Sequence, residues 1–323
     1  MGLYEFKLQD AYDFARAHGE YRERGKEIEL LRCPYCQGGK SDKWTFAINK
    51  DSGQFKCFRS SCMASGNMIT LAKDFDFSLG KDIDEYYTHK TEYKKLSQPK
   101  EKIIPKQNAI DYLVKRGISK EIVEKYEITC QNDNDKILVF PFFDEKGVMQ
   151  FVKYRNTDFV KGETKGSKEW CEKDCKPILY GMKQCNGSFD RVIITEGQID
   201  SLTLAECGIE NAVSVPTGAM GFTWIPHVWD WFSKFKEIIV FGDYEKGKIT
   251  LLDELSRRFR GKTKHVRFED YKDCKDANEI LLKYGKEAVI SAVENSVFIP
   301  INRVIELASV EKVDIYSLPK LAT

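Results

Sequence analysis

An excess of charge of one sign is missing from this 323-residue sequence, in which 51 Lys+Arg face 50 Asp+Glu for a formal net charge of +1. Bulk charge therefore announces no nucleic-acid partner, and any basic surface has to be local. Long apolar runs are missing too, and none approaches the roughly 20 residues that cross a bilayer. The opening Met1-Gly2-Leu3-Tyr4-Glu5-Phe6 lacks a positively charged lead into an apolar core, so no secretory signal peptide is expected. Position 6 is not Ser or Thr, which argues against myristoylation. There is no internal repeat, no low-complexity tract and no Gly-x-x-x-x-Gly-Lys-[Ser/Thr] phosphate loop. These absences suit an intracellular, soluble protein, where ten cysteines read better as metal ligands or buried thiols than as disulfides.

What is present is 42% hydrophobic and 12% aromatic residues, the composition of a globular chain long enough for two or three domains. Residues 1–78 combine an amphipathic start (Ala11, Phe14, Ala15) with a cysteine-rich segment. Residues 79–107 are charged, with Lys94-Lys95, Pro99 and Pro105, and read as a linker or a solvated helix. From 108 to 190 the pattern predicts short helices at 110–117 and 120–126, then two strands, 137–143 and 148–154, around the Asp144-Glu145-Lys146-Gly147 turn. From 191 to 297 strands and helices alternate. Strands are expected at 192–195, 212–215, 238–241 and 264–268, and helices at 199–207, 224–235, 249–259 and 276–284. Such alternation implies an α/β domain with a parallel sheet and right-handed crossovers. Residues 298–323 read as a tail or linker.

In an open parallel sheet, ligands collect beyond the carboxyl ends of the strands. Three acids fall there: Glu196 after Thr195, Asp243 after Phe241-Gly242, and Asp276 beyond the strand ending at Phe268, with Glu245 two residues after Asp243. Carboxylates gathered without matching cations repel one another, so a bound cation is the natural way to stabilise them. Oxygen ligands select Mg²⁺ or Mn²⁺, which shares its shell with substrate phosphates, and this suggests phosphoryl transfer. The competing reading is that each acid merely complements a helix dipole.

Two close cysteine pairs, Cys33-Pro34-Tyr35-Cys36 and Cys57 with Cys62, flank a strand-like 44–48 and an Asp51-Ser52-Gly53 turn. Two thiolate pairs on knuckles close the tetrahedron of a zinc ribbon, and four thiolates leave no open position, so one structural zinc is expected. Trp44, Lys56, Phe58 and Arg59 interleave aromatics with cations around the ribbon, as stacking on bases and contact with phosphates require. Phe46 reads instead as ribbon core. Lys153 and Arg155 leave the hairpin, and Lys161, Lys165 and Lys168 follow in a loop with Gly162 and Gly166, a composition suited to polyphosphate. A solvated charged loop is the bland alternative. Cys171 and Cys175, beside Trp170, are not expected to hold metal; Cys130, Cys185, Cys207 and Cys274 read as ordinary thiols.

Thr195-Glu196-Gly197-Gln198-Ile199-Asp200, Phe241-Gly242-Asp243-Tyr244-Glu245-Lys246-Gly247 and Lys275-Asp276-Ala277-Asn278-Glu279 resemble the three motifs of a TOPRIM domain. The likeness is to bacterial replicative DNA primases and phage helicase–primases, and Cys-Pro-Tyr-Cys with Phe55-Lys56-Cys57-Phe58 and Gly66-Asn67 resembles their amino-terminal zinc domain. The resemblance implies a TOPRIM sheet flanked by helices, an α+β amino-terminal catalytic subdomain and a small β zinc-ribbon domain. It implies Glu196 in catalysis, with Lys153 and Arg155, and Mg²⁺ or Mn²⁺ held by Asp243, Glu245 and Asp276. Lys153, Arg155, Lys161, Lys165 and Lys168 would hold ribonucleoside triphosphate, and the ribbon would read single-stranded DNA template. The family's usual Asp-x-Asp is Asp243-Tyr244-Glu245 here, where glutamate reaches one methylene further. Primer synthesis in the cytoplasm of a bacterial or phage-infected cell follows from the resemblance. A replicative helicase would be a separate partner or a missing carboxyl-terminal domain. A TOPRIM nuclease and a non-enzymatic zinc-bearing recombination mediator are the rival readings, and Glu196 as base or as metal carboxylate is left open.

Overall fold

The computed structural model describes residues 5–38, 43–59, 62, 64–80, 93–219, 221–259 and 261–299. Helix α1 (Leu8–Ala17) precedes a five-stranded antiparallel sheet of β1 (Tyr21–Arg24), β2 (Glu27–Leu30), β3 (Phe46–Asn49), β4 (Phe55–Cys57) and β5 (Ser65–Gly66), paired in chain order. Helix α2 (Met68–Phe75) follows, its N-terminus capped by Asn67, whose Oδ1 accepts the Thr70 N–H at 3.1 Å. Phe14, Ile28, Phe46, Phe55 and Leu71 are buried between helices and sheet. Phe46 is core, as its apolar position in the ribbon demands.

Residues 93–106 form no helix, and the expected linker runs as an extended strap here; residues 81–92 lie outside the described residues. The strap is tied down where Gln98 exchanges side-chain bonds with the Met149 backbone at 3.0 and 2.7 Å. Helices α3 (Gln107–Val114) and α4 (Lys120–Lys125) then lead into an antiparallel sheet of β6 (Thr129–Cys130), β7 (Ile137–Phe143), β8 (Met149–Asn156) and β9 (Glu169–Cys171). The β7–β8 turn closes through the Gly147 N–H to the Asp144 carbonyl at 2.9 Å, with Gly147 at φ +79.

The remaining chain forms β10 (Arg191–Thr195), α5 (Gln198–Glu206), β11 (Ala212–Ser214), α6 (Ile225–Phe232), β12 (Glu237–Val240), a small hairpin β13 (Tyr244–Glu245) and β14 (Lys248–Ile249), α7 (Thr250–Arg258), β15 (Thr263–His265), α8 (Ala277–Tyr284), α9 (Lys286–Glu294) and β16 (Val297–Phe298). The sheet order is β11-β10-β12-β15-β16; the first four strands are parallel and β16 adds antiparallel at the edge. Strands β10 and β12 have neighbours on both sides, and Val192, Ile193, Ile194, Ile238, Ile239 and Val240 are all buried, as unbroken apolar runs require in a covered sheet.

Two expected elements are shorter. The strand expected over 264–268 ends at His265. Residues 268–271 turn instead as a short 3₁₀ segment, because Arg267 pairs with Asp270 and the Tyr271 hydroxyl donates to the Gly242 carbonyl at 2.8 Å. The aromatic helix expected over 224–235 spans Ile225–Phe232, and Phe235 reaches the core from beyond its end. Helix α9 and β16 were not expected as elements. The chain from residue 300 on, the expected tail, lies outside the described residues.

The three units are joined by hydrogen bonds, ion pairs and a ring contact. The sheet domain meets the middle unit where Tyr180 and Ser214 exchange backbone bonds at 2.9 and 3.1 Å. The ribbon meets α6 and α7 through a Tyr35–Trp229 ring contact at 4.9 Å, a Lys73–Glu254 ion pair at 2.5 Å and a buried Asp74–Arg258 ion pair at 2.7 Å. Among the described residues, no helix is long and apolar enough to cross a membrane.

Candidate active site and zinc centre

Glu196, Asp200, Asp243 and Asp276 meet beyond the carboxyl ends of β10 and β12. Carboxylate oxygens of Asp200, Asp243 and Asp276 lie within 4.8 Å of one another. Backbone N–H groups orient this group. The Asp243 N–H donates to Glu196 Oε1 at 3.2 Å, the Asn278 N–H to Asp200 Oδ1 at 3.1 Å, and the Glu279 N–H to Asp276 Oδ1 at 2.8 Å. Asp276 thereby caps α8 through Oδ1, which leaves Oδ2 toward Asp243 and Lys275, so a cap and a candidate ligand can share one carboxylate. Two glycines make the convergence possible. A Cβ on Gly197 would stand 2.6 Å from Asp200 Oδ2, and one on Gly242 would stand 2.7 Å from Ile249 Cγ2 and 3.0 Å from Glu196 Oε1.

Crowded acids show their cost in their proton affinity. Burial, with Asp243 beside it, pushes the Glu196 carboxyl up to about 7. Burial also pushes Asp200 well above the usual carboxylate range, with Asp276 and Asp243 adding to it. Asp243 is raised by burial, against the pull of Lys275, whose Nζ lies 3.5 Å from Asp243 Oδ2 and 3.2 Å from Asp276 Oδ2. Octahedral ligands at about 2.1 Å from a hard cation stand about 3–4 Å apart, so this spacing fits one after small side-chain rotations.

A cleft of about 690 Å³ opens over these acids and brings Arg116, Lys153, Arg155 and Lys168 to the same space. Lys153 and Arg155 alternate on β8 and both bond Glu169 of β9, at 2.8 and 2.6 Å. Burial alone would raise the Glu169 carboxyl, but these two cations hold it below its ordinary value. Lys168 is lowered, first by the neighbouring Arg155 charge and then by burial, as expected where cations are packed without enough anions. An anionic ligand would relieve that repulsion. A larger groove, about 860 Å³, lies under residues 98–102, where Lys183 pairs with Glu127; none of the acids described above reaches it.

The structure therefore brings together Glu196, Asp243, Asp276, Lys153, Arg155 and Lys168. Glu245 is exposed on β13 and stands outside the close trio of carboxylates, while Lys161 and Lys165 are exposed in the loop after β8 and do not line the cleft. Asp200, Arg116, Glu169 and Lys275 were not assigned from sequence. Asp200 had a signal: it follows Glu196 by four residues, and the start of α5 folds that spacing back onto the strand end.

The sulfurs of Cys33, Cys36, Cys57 and Cys62 form a second group, all within 4.8 Å of one another and all buried. Thiolates about 2.3 Å from zinc stand about 3.8 Å apart in a tetrahedron, and Cys33 and Cys62 are 4.0 Å apart. The donor set fits zinc and is closed to solvent. Near it Phe58 is 64% exposed, with the Lys56 ammonium 5.8 Å from its ring centre, while Trp44 is half-buried under the Arg22 guanidinium at 4.5 Å. Arg59 lies at the carboxyl side of the same strand end. Cys171 and Cys175 belong to no such cluster among the described residues.

No family model matches the chain. It is 28% identical to the chloroplastic/mitochondrial Twinkle homolog protein of Arabidopsis thaliana, over 81% of this chain and 38% of that protein. It is 27% identical to the primase homolog protein of the same plant, over 81% of this chain and 80% of that one. A DNA primase of Clostridium acetobutylicum is 24% identical over 93% of this chain and 60% of its own length. The chain is similar to DNA primases. It spans little more than a third of the Twinkle homolog's length.

Proposed function

We propose that this protein synthesises RNA primers on single-stranded DNA. The observation that carries the reading is the single cleft in which Glu196, Asp200, Asp243 and Asp276 face Arg116, Lys153, Arg155 and Lys168. Acids alone would suit many metal sites, and lysines alone a solvated surface. Together they form a site for a polyphosphate and the cation that accompanies it. The zinc-ribbon geometry and the similarity to DNA primases narrow that chemistry to template-directed nucleotidyl transfer.

Asp200, Asp243 and Asp276 would hold Mg²⁺ or Mn²⁺, which when bound neutralises the developing charge on the transferred phosphate oxygens. Lys153, Arg155 and Lys168 hold the triphosphate tail, and Arg116 closes the cleft beside them. Glu196, raised to about 7, is poised near neutrality to accept the proton of an attacking 3′-hydroxyl. Its Oε1 is oriented by the Asp243 N–H at 3.2 Å, and the Leu251 backbone adds a second contact that holds the carboxyl in place. Glu245 and the lysines of the 161–165 loop take outer positions, reached only by longer substrates. Phe58, Lys56 and Arg59, with Trp44 behind them, offer the template a stacking face with adjacent cations. A replicative helicase, as a separate protein or a further domain, is the partner such an activity calls for.

Primer synthesis with radiolabelled ribonucleotides on a panel of short templates tests the proposal. Product with the wild type and none with Glu196→Gln is the expected result. Undiminished product with the variant removes Glu196 from the chemistry. A metal-dependent nick in DNA without added nucleotides would replace the reading with a nuclease, and DNA binding with no metal-dependent product would replace it with a mediator.

A further inference from the structure

Lys275 stands in an unusual place for a cation. Its ammonium lies 3.5 and 3.2 Å from one oxygen each of Asp243 and Asp276, two of the three carboxylates that would hold the metal. Charge-assisted N–H···O bonds settle at about 2.7–2.9 Å, so this ammonium is shared between two acids and tightly bound to neither. Its backbone, in contrast, is fixed: the Lys275 N–H donates to Glu279 Oε2 at 2.9 Å, and its carbonyl accepts the Tyr244 N–H at 2.7 Å. The side chain is about half exposed and lines the cleft. Anchored main chain, long flexible stem and loosely shared charge describe a side chain built to change partners.

We infer that Lys275 is an internal counter-ion that competes with the divalent cation for Asp243 and Asp276, and that moves to the triphosphate when the cation takes its place. The inference rests on the proposed metal and triphosphate site and deepens it. A divalent ion carries twice the charge and approaches carboxylate oxygens to about 2.1 Å, so it outcompetes the ammonium for the two acids. The displaced ammonium swings on a four-carbon stem within a cleft whose other ligand is a polyphosphate, where it finds oxygens of the same charge. Cation and triphosphate then each favour the other, because the first removes Lys275 from the acids and the second receives it. Coupling of this kind is reciprocal. Lys275 is thus a positioning residue: it restrains the cation from binding alone and strengthens binding of the pair.

The test is a pair of affinities measured on the full chain, neither of which depends on primer synthesis. Mn²⁺ binding without nucleotide is read by isothermal calorimetry, and MgATP binding by displacement of a fluorescent ATP analogue. Lys275→Met is expected to bind Mn²⁺ alone about five- to tenfold more tightly than wild type and to bind MgATP more weakly by a similar factor. Lys275→Arg, which keeps the charge, stays near wild type in both. Opposite signs are the signature, since general damage to the site would weaken both affinities; a circular dichroism melt confirms that the variants are folded. Mn²⁺ affinity unchanged or reduced in Lys275→Met overturns the inference, as does unchanged MgATP affinity. If the wild type makes no primer but the opposite shifts appear, the functional reading fails and the role of Lys275 stands.

Discussion

Arg258 of α7 reaches across the domain boundary to Asp74 of α2, its Nη2 2.7 Å from Asp74 Oδ1, with both side chains almost wholly shielded from water. The guanidinium also donates to Glu254 Oε2 at 2.7 Å, and Asp74 accepts the Tyr35 hydroxyl at 2.7 Å. Removing one partner of such a pair strands a buried charge at a cost of about 3–5 kcal/mol. Arg258→Ala should therefore lower the denaturant midpoint strongly. The combined change Tyr35→Phe, Asp74→Leu and Arg258→Met should recover most of the loss, because Glu254 keeps Lys73 and the apolar replacements leave no buried charge or hydroxyl orphaned. Equal midpoints for Arg258→Ala and wild type would show that the ribbon does not depend on this contact.

Tyr35 links that ion pair to the zinc centre, since it lies between Cys33 and Cys36 in sequence and its ring sits 4.9 Å from Trp229. Stripping zinc with a chelator should release one equivalent of metal per chain, read with a chromogenic chelator, and unfold the ribbon. The near-ultraviolet circular dichroism of Trp229 should change in step. A purified protein with no zinc and an unaltered ribbon would refute the four-thiolate site.

His227 of α6 gives a pH dependence outside the acidic cleft. Its Nε2 is 2.8 Å from the Tyr93 hydroxyl, and burial, with the nearby Lys176 charge, lowers it to about 4. The folded state holds the ring neutral while the unfolded chain takes up a proton below about 6.5. The stability this confers is present above that value and lost as pH falls through about 4, a change of about 3 kcal/mol at most. His227→Gln should flatten the dependence over that window. Parallel stability–pH curves for the two proteins would exclude His227 as its source.

Where the sequence was legible, a local rule decided the outcome. The apolar runs 192–195 and 238–241 read as strands and are covered on both faces, as their lack of alternation requires. What was hidden depended on tertiary placement. Asp200 lies inside a helix, and only the register of α5 against α8 turns it toward Asp276. Glu245 sits at a spacing that pairs it with Asp243 on paper, yet the β13–β14 hairpin carries it out to solvent. Lys153 and Lys161 look alike in composition, but the first alternates with Arg155 on a strand facing the acids while the second occupies an exposed loop. Antiparallel β16 carries only Val297 and Phe298, both exposed, too little pattern for any periodicity to show.

The contrast between Asp200 and Glu245 yields the sharpest test of the acidic site. Asp200 is buried, close to Asp243 and Asp276, and fixed by the Asn278 N–H, so replacing it takes a proposed ligand oxygen from the centre. Glu245 is exposed, so replacing it removes charge from the rim. Even groups that only support metal ligands typically contribute about 10–100-fold; Asp200→Asn should cost primer synthesis at least that much and weaken Mn²⁺ binding. Glu245→Gln should stay within about twofold, the range of an ordinary surface change. The metal-free Asp200→Asn protein should also melt higher than wild type at neutral pH, because it relieves repulsion among acids that burial already disfavours. The reverse ranking of the two variants would return Glu245 to the metal shell and move Asp200 to a purely structural role.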